Sequence, residues 1–268
     1  MDFTLQRYER LLRCILESGY TILPYQDYLK KKIPEKTVIM RHDVDQKENA
    51  LSMAKIEKQF GVKASYYFRA VPESWDENLI REIAAMGHEI GYHYESLTTC
   101  HGDVNKAYED FCSNLKALRT LANVETICMH GSPRSIYDSK DIWKRYDYHR
   151  LGIIGEPYFD TDFSNVLYLT DTGRMWDGYK VSVRDKIEKY HEKWVKEGLV
   201  FHSTEDIIQG FENGKMLNKV MFTIHPPRWN DFGYKWIEQL VLQNIKNVVK
   251  YLIIKYRSLI RNSLMKFS

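Results

Sequence analysis

Two rhythms of apolar and polar residues run along the first half of this chain. Residues 4–18 place Leu5, Tyr8, Leu11, Leu12 and Ile15 at helical spacing, with a stop near Gly19. A short segment from Tyr20 to Leu23 leads to a basic loop at Lys30-Lys-Lys and Pro34. Thr37–Asp45 then opens as an unbroken apolar run, the pattern of a strand buried on both faces. Leu51, Ile56 and Phe60 predict a helix over 49–60, closed by Gly61. Lys63–Arg69 is an aromatic strand, 78–86 a helix closed by Gly87, and His88–Glu95 a third strand. Tyr108, Phe111, Leu115 and Leu118 mark one side of a helix over 103–121, and Thr126–His130 is a fourth strand cut off by Gly131-Ser-Pro. This alternation predicts a parallel sheet or barrel flanked by helices.

The second half is less regular. Strands are expected at Leu151–Phe159, Val166–Thr170, Gly198–His202 and Lys219–His225, with helices over 185–194 and from Ser203 to Phe211. No repeat, low-complexity linker or composition shift divides the chain, so one domain over residues 1–268 is the simpler organisation. From Trp236 the pattern is helical again, and basic: Glu238 is the last acid, followed by Lys246, Lys250, Lys255, Arg257, Arg261 and Lys266 among aliphatic residues. Two readings of 236–268 stand: a terminal helix packed on the barrel with its basic face in water, or an amphipathic helix resting on an anionic membrane.

The predicted strands share a feature at their carboxyl ends, where parallel α/β folds place their ligands. The first delivers Arg41, His42, Asp43 and Asp45; the third, His93 and Glu95; the fourth, His130; the last, His225. Residues two apart in a strand point the same way, so Asp43 and Asp45 converge, and two adjacent carboxylates repel unless a cation or shared proton lies between them. Imidazole with carboxylate suits zinc and similar divalent ions. A bare Asp-x-Asp is equally well a solvated loop capping the next helix, and His130 equally well a hydrogen-bond partner of the Gly-Ser-Pro turn.

Composition narrows the setting. Hydrophobic residues make up 44% and charged residues 28%, a globular balance with enough apolar material for a large core. A net charge of +3 gives no case for nucleic acid as a partner. The four cysteines show no metal or disulfide spacing and read as reduced thiols. The first residues lack a signal-peptide pattern and no apolar stretch is long enough to span a membrane, so the expected location is cytoplasmic, with membrane association through the last helix as the open variant.

With these residues in place, the chain resembles the polysaccharide deacetylase superfamily, the metal-dependent carbohydrate esterases. Arg41-His-Asp-Val-Asp45 is similar to a variant of the family's first motif, T-F-D-D-G, with the second acid one place later. Gly87-His-Glu-Ile-Gly-Tyr-His93 matches G-H-E-I-G-x-H, whose last histidine binds metal. Met129-His-Gly-Ser-Pro133 stands in place of the third motif, 170–177 in place of the fourth, and Phe222-Thr-Ile-His225 resembles L-x-x-H, whose histidine is the general acid. The resemblance implies a distorted (β/α) barrel of about seven strands, of the glycoside hydrolase and deacetylase type. It implies a divalent metal, zinc by preference, held by Asp45 and His93 with Glu95 or His130 as third ligand. Asp43 would be the base, oriented by Arg41 or Arg174, and His225 the acid.

Two departures mark a divergent branch. The family's second metal histidine falls on Leu97, and the third-motif arginine is replaced by the His130 region. The expected activity is removal of an acyl group from an amide nitrogen of a sugar or sugar precursor in cell-surface carbohydrate synthesis. The alternative is an inactive barrel that binds carbohydrate or an assembly partner. A phosphate-ester hydrolase lacks the paired-metal spacing and the glycine-rich loop it would need. Trp176 and Trp229 are candidates to stack on a sugar ring.

Overall fold

The computed structural model describes every residue except 31, 133, 134, 178–181, 183, 184, 232 and 265–268, and near the C-terminus the side chains of 235, 250, 253, 254 and 256–264 also lie outside the description. Lys31 of the basic loop, Pro133 of the third motif and the last four residues of the tail therefore fall outside the described residues.

The elements follow in the order α1 (Leu5–Glu17), β1 (Thr21–Leu23), α2 (Tyr25–Lys30), β2 (Thr37–Val44), α3 (Ala50–Gln59), β3 (Ser65–Phe68), α4 (Glu77–Ala85), β4 (Glu89–Tyr94), α5 (Ser96–Thr99), α6 (Val104–Arg119), β5 (Ile127–Met129), α7 (Pro157–Asp160), β6 (Leu167–Thr170), α8 (Glu188–Lys196), α9 (Thr204–Glu212), β7 (Lys219–Ile224) and α10 (Tyr234–Leu264). The seven strands form one parallel sheet in the order β5-β4-β3-β2-β7-β6, with β1 added beside β2, and it curls into a half-barrel flanked by helices. The alternation of strand and helix predicts a parallel sheet or barrel, and the sheet has the distorted barrel form that the resemblance implies.

The centre of the sheet is β2, all of whose residues are buried. On one edge, its first half pairs with β1 through Thr37–Ile39 and its second half with β3 through Arg41–Val44. On the other edge it pairs with β7 from Thr37 to His42. Alternation sends Arg41, Asp43 and Asp45 to the barrel interior and His42 to the opposite face, against α1 and α3. Interior space is tight: a Cβ on Gly91 of β4 would lie 2.3 Å from the Tyr67 ring, so only glycine lets that ring fill the barrel.

Two expected strands are absent. Residues 151–159 hold a 3-10 turn, a single bridge from Thr126 to Gly155, and α7; residues 198–202 are irregular. The first of these segments is held against the rim strand β5 by one backbone bond, Ile127 N to Gly155 O, and by a side chain. Glu156 accepts hydrogen bonds from the backbone N–H groups of Met129 and Tyr158, at 3.0 and 2.6 Å. Conversely, the segment from Tyr20 to Leu23 does become a strand.

The last helix, α10, runs 31 residues, about 46 Å at 1.5 Å per residue. It is tied down by polar contacts: Trp236 Nε1 donates to Asp2 O, and Asn247 Nδ2 to Gly173 O. Arg174 Nη1 donates to Trp236 O, with its guanidinium 4.6 Å from the Trp236 ring centre. Among the described residues, no helix is long and apolar enough to cross a membrane.

Candidate metal centre and active site

At the carboxyl ends of three strands, Asp45, His93 and His130 come together with their ligand atoms all within 4.8 Å of one another. Asp45 follows β2, His93 lies in β4, and His130 follows β5. His130 Nδ1 is 3.1 Å from Asp45 Oδ1 and 3.2 Å from His93 Nε2, and His93 Nε2 is 3.7 Å from Asp45 Oδ1. Three ligands on a tetrahedral ion with bonds of about 2.1 Å sit ~3.4 Å apart, and these separations bracket that value.

Three further observations fit a cation here. Asp45 Oδ1 is buried and accepts no aligned hydrogen bond, so a negative oxygen is left without a donor. His93 Nδ1 lies 3.0 Å from the Cys128 carbonyl; donating to it leaves the Nε2 lone pair facing the site, the arrangement seen behind metal-bound imidazoles. Burial pushes the His93 imidazole down to about 4, so at neutral pH it is uncharged and able to ligate. Burial alone would raise the Asp45 carboxyl, but His130, His225 and His93 around it hold it well below the usual carboxylate range.

Asp43, one turn of the pleat before Asp45, is gripped by Arg41. Arg41 Nε and Nη2 each donate to one Asp43 oxygen at 3.0 Å, a buried two-pronged pair. Asp43 Oδ2 also lies 3.7 Å from His93 Nε2, which places it at the edge of the site. The buried guanidinium is sheltered between the Tyr67 and Tyr158 rings, 5.9 and 5.6 Å from their centres. Of the two arginines considered for orienting Asp43, Arg41 takes the role; Arg174 is turned to Trp236 and serves to hold α10.

His225 closes the other wall, its Nε2 4.0 Å from Asp45 Oδ2. Its Nδ1 donates to Asp171 Oδ1 at 2.6 Å, which fixes the ring with Nε2 toward the cleft. Asp171, fully buried at the end of β6, also accepts from the His225 backbone N–H, Arg228 Nη1 and Trp229 Nε1. Burial and Arg228 work against a proton on His225, while Asp171 and Asp45 work for it; the net shift is upward.

Glu95 is brought to the same end but not to the ligand cluster. Arg69 Nη2 and Nε hold its Oε1 at 2.7 and 2.9 Å, and its Oε2 faces His130 Nε2 at 3.9 Å. The geometry groups His130, and not Glu95, with Asp45 and His93. Leu97, where the family pattern has histidine, is buried against Ala107 and Ile142. Trp229 is fully buried and donates to Asp171, so it offers no face to a sugar, while Trp176 donates to Thr204 Oγ1 and lines a cavity with Asp177 and Trp194 that includes none of Asp45, His93 and His130. His88 bridges Ala64 N and Ala54 O within the core.

The sequence reading missed Asp171 as the partner of His225, although it too is an acid at a strand's carboxyl end. Arg69 and Arg228 were also missed. With Asp45, His130, His225 and Lys246 they line a cleft of about 550 Å³, one wall of which is α10.

No protein-family model matches the sequence, and no curated protein matches it. Among solved structures, the chain is similar to the Streptococcus pyogenes deacetylase PplD in complex with acetate, at 16% identity and a TM-score of 0.42 over 52% of this chain and 68% of that one. It is similar also to Bacillus subtilis PdaA, a family 4 carbohydrate esterase, at 14% identity and a TM-score of 0.41 over 87% and 81% of the two chains. A third likeness is to a mutant of BA3943, a CE4 family pseudoenzyme, at 13% identity and a TM-score of 0.38 over 80% and 63%.

Proposed function

We propose that this protein is a metal-dependent hydrolase that removes an acyl group from an amide nitrogen of a sugar or sugar precursor, in cell-surface carbohydrate synthesis. The observation that carries the reading is the Asp45–His93–His130 cluster: one carboxylate and two imidazoles at tetrahedral spacing around an unsatisfied buried oxygen. Three protein ligands with a remaining open position is the pattern of a catalytic site, and a divalent ion such as zinc held there supplies a Lewis acid for the acyl oxygen and an acidified water. His130 replaces the donor missing at Leu97, which supports the hydrolase over an inactive carbohydrate-binding barrel.

The chain's own groups supply the proton transfers. Asp43, fixed by Arg41, is oriented to accept a proton from the attacking water. His225, held by Asp171 and inclined to keep its proton, gives it to the leaving nitrogen as the carbon–nitrogen bond breaks. The products are a free amine on the sugar and a short carboxylate, acetate or formate. Arg69, Arg228 and Lys246 give the cleft cationic side chains for the hydroxyl and anionic groups of a glycan.

The test is metal content and zinc-dependent thermal stability of the purified protein, with and without Asp45→Asn. One equivalent of metal, a rise in Tm on adding zinc, and loss of both in the variant are expected. Wild-type protein that binds no metal and gains no stability from zinc overturns the proposal.

A further inference from the structure

The last helix is built inside out. Its inward side is polar, with Gln239, Gln243 and the buried Asn247 toward the body of the protein. Its outward side carries Val241, Val248 and Leu252 at spacings of seven and four, each more than half exposed. Ile237 extends this stripe, and Ile245 and Val249, about as exposed, form its edge where the helix meets the cleft. A helix that packs on its own domain buries its apolar face; this one presents that face to the outside, so another apolar medium covers it.

Charge says which. Residues 239–268 hold six lysines and arginines and no acid, a local charge of +6, while the whole chain carries +3, so the remainder carries −3. A second copy of α10 laid against this stripe would bring together twelve cations and only two acids, Glu238 of each copy, far from the balanced flanking charge pairs that hold coiled coils. An anionic bilayer offers apolar depth for the aliphatic stripe and negative headgroups for the cations. No helix among the described residues can span it, so the contact is one of lying on the surface.

We propose that α10 docks the protein on an anionic lipid surface. The same helix walls the cleft: Gln243, Ile245, Lys246 and Val249 line it together with Asp45, His130 and His225. Docking therefore brings the cleft mouth beside the headgroup layer, and the substrate class that fits is a sugar carried on a membrane lipid. That second statement rests on the hydrolase reading; the docking itself does not.

Co-sedimentation of the full chain with vesicles tests it, comparing phosphatidylcholine alone with phosphatidylcholine containing 30% phosphatidylglycerol (about one lipid in three anionic, enough to attract a polybasic segment). Wild-type protein pellets with the anionic vesicles and stays in solution with the neutral ones. The variant Val241→Asp/Val248→Asp/Leu252→Asp, with an unchanged circular dichroism spectrum, loses at least tenfold in affinity. Asp45→Asn pellets as wild type does, so a failed hydrolase reading would leave this result standing. Docking is overturned if wild type pellets with neither vesicle or if the triple variant pellets like wild type. It is also overturned if lipid-free wild type sediments as a dimer that the variant turns into a monomer, since a second copy then covers the stripe.

Discussion

Two buried clusters of charge lie back to back on β2, and they differ in one respect. On the outer face, His42 meets Glu57, and each oxygen of that carboxylate has its donors: Tyr8 OH at 2.5 Å and His42 Nε2 at 2.6 Å on Oε1, Tyr66 OH at 2.7 Å on Oε2. On the inner face, Asp45 Oδ1 has two imidazole nitrogens near it and no aligned donor. Both clusters are acid and histidine, both are built on neighbouring residues of one strand. In the outer set both carboxylate oxygens are satisfied, although His42 Nδ1 is left without a partner, and the set holds α1 and α3 to the sheet. The inner set lacks one partner, and that deficit marks it as a place for chemistry. Burial and residue type alone would not have separated them; satisfaction of the carboxylate oxygens does.

The largest expected effect is on the inner face. Asp43→Ala should lower turnover by about a thousandfold or more, within the range of general-base losses, while zinc still raises Tm. Unchanged turnover would remove Asp43 from the chemistry. On the outer face, Glu57→Gln should cost roughly 3 kcal/mol of stability, because three donors then converge on a neutral amide. Its zinc affinity should stay within twofold of wild type, measured by competition with a chromophoric chelator. A large fall in zinc affinity would mean that the two clusters are not independent.

Glu156 sharpens the contrast by a third arrangement. Its carboxyl is fully buried beside β5, and burial raises it from 4.5 to about 7 despite two backbone donors. The folded state therefore holds this proton more tightly than the unfolded chain. Its contribution is complete below about pH 4.5 and is lost as pH rises through about 7, amounting to at most ~3 kcal/mol. Urea unfolding of Glu156→Gln from pH 5 to 8 should show this decline flattened; an unaltered slope would show that the group is not responsible. The smallest effect belongs to Glu95→Gln, which loosens the backing of His130 and should weaken zinc binding by about tenfold, the usual size for a group behind a ligand. A complete loss would instead make Glu95 a ligand itself.

The half of the chain that alternates strand and helix was legible because a parallel sheet forces continuous apolar strands and delivers polar residues at their carboxyl ends. That logic reached Asp43, Asp45, His93, His130 and His225. It failed where an inward face is not apolar. In α3 the apolar pattern points to Leu51, Ile56 and Phe60, yet the fully buried positions are Ala50, Met53, Ala54 and Glu57. A carboxylate that finds three donors breaks the rule that charge faces water, and no local pattern announces donors that come from α1, β2 and β3. The same reversal appears in α10, whose aliphatic residues fit either a helix packed on the barrel or one on a membrane, and are exposed from Ile237 to Leu252. Residues 151–159 read as a strand because they are rich in aliphatic and aromatic side chains, but only one bridge joins them to the sheet. Asp171 was missed for a different reason: its role is set by His225, fifty-four residues away, through a contact no spacing encodes.

The position of β5 has a consequence for how this molecule fails when warmed. It is three residues long, sits at the rim of the sheet and has β4 as its one strand neighbour, its other edge held by Ile127 N to Gly155 O and Met129 N to Glu156, whereas β2 and β4 each have strands on both edges. Short rim strands fray before central ones. His130, anchored there by its N–H to the Tyr94 carbonyl at 2.8 Å, is the donor that would swing away first. An ion shared by the three residues would act as a clasp on the rim, so that hydrogen exchange at 127–130 would slow on loading while the strands at the centre of the sheet would keep their rates.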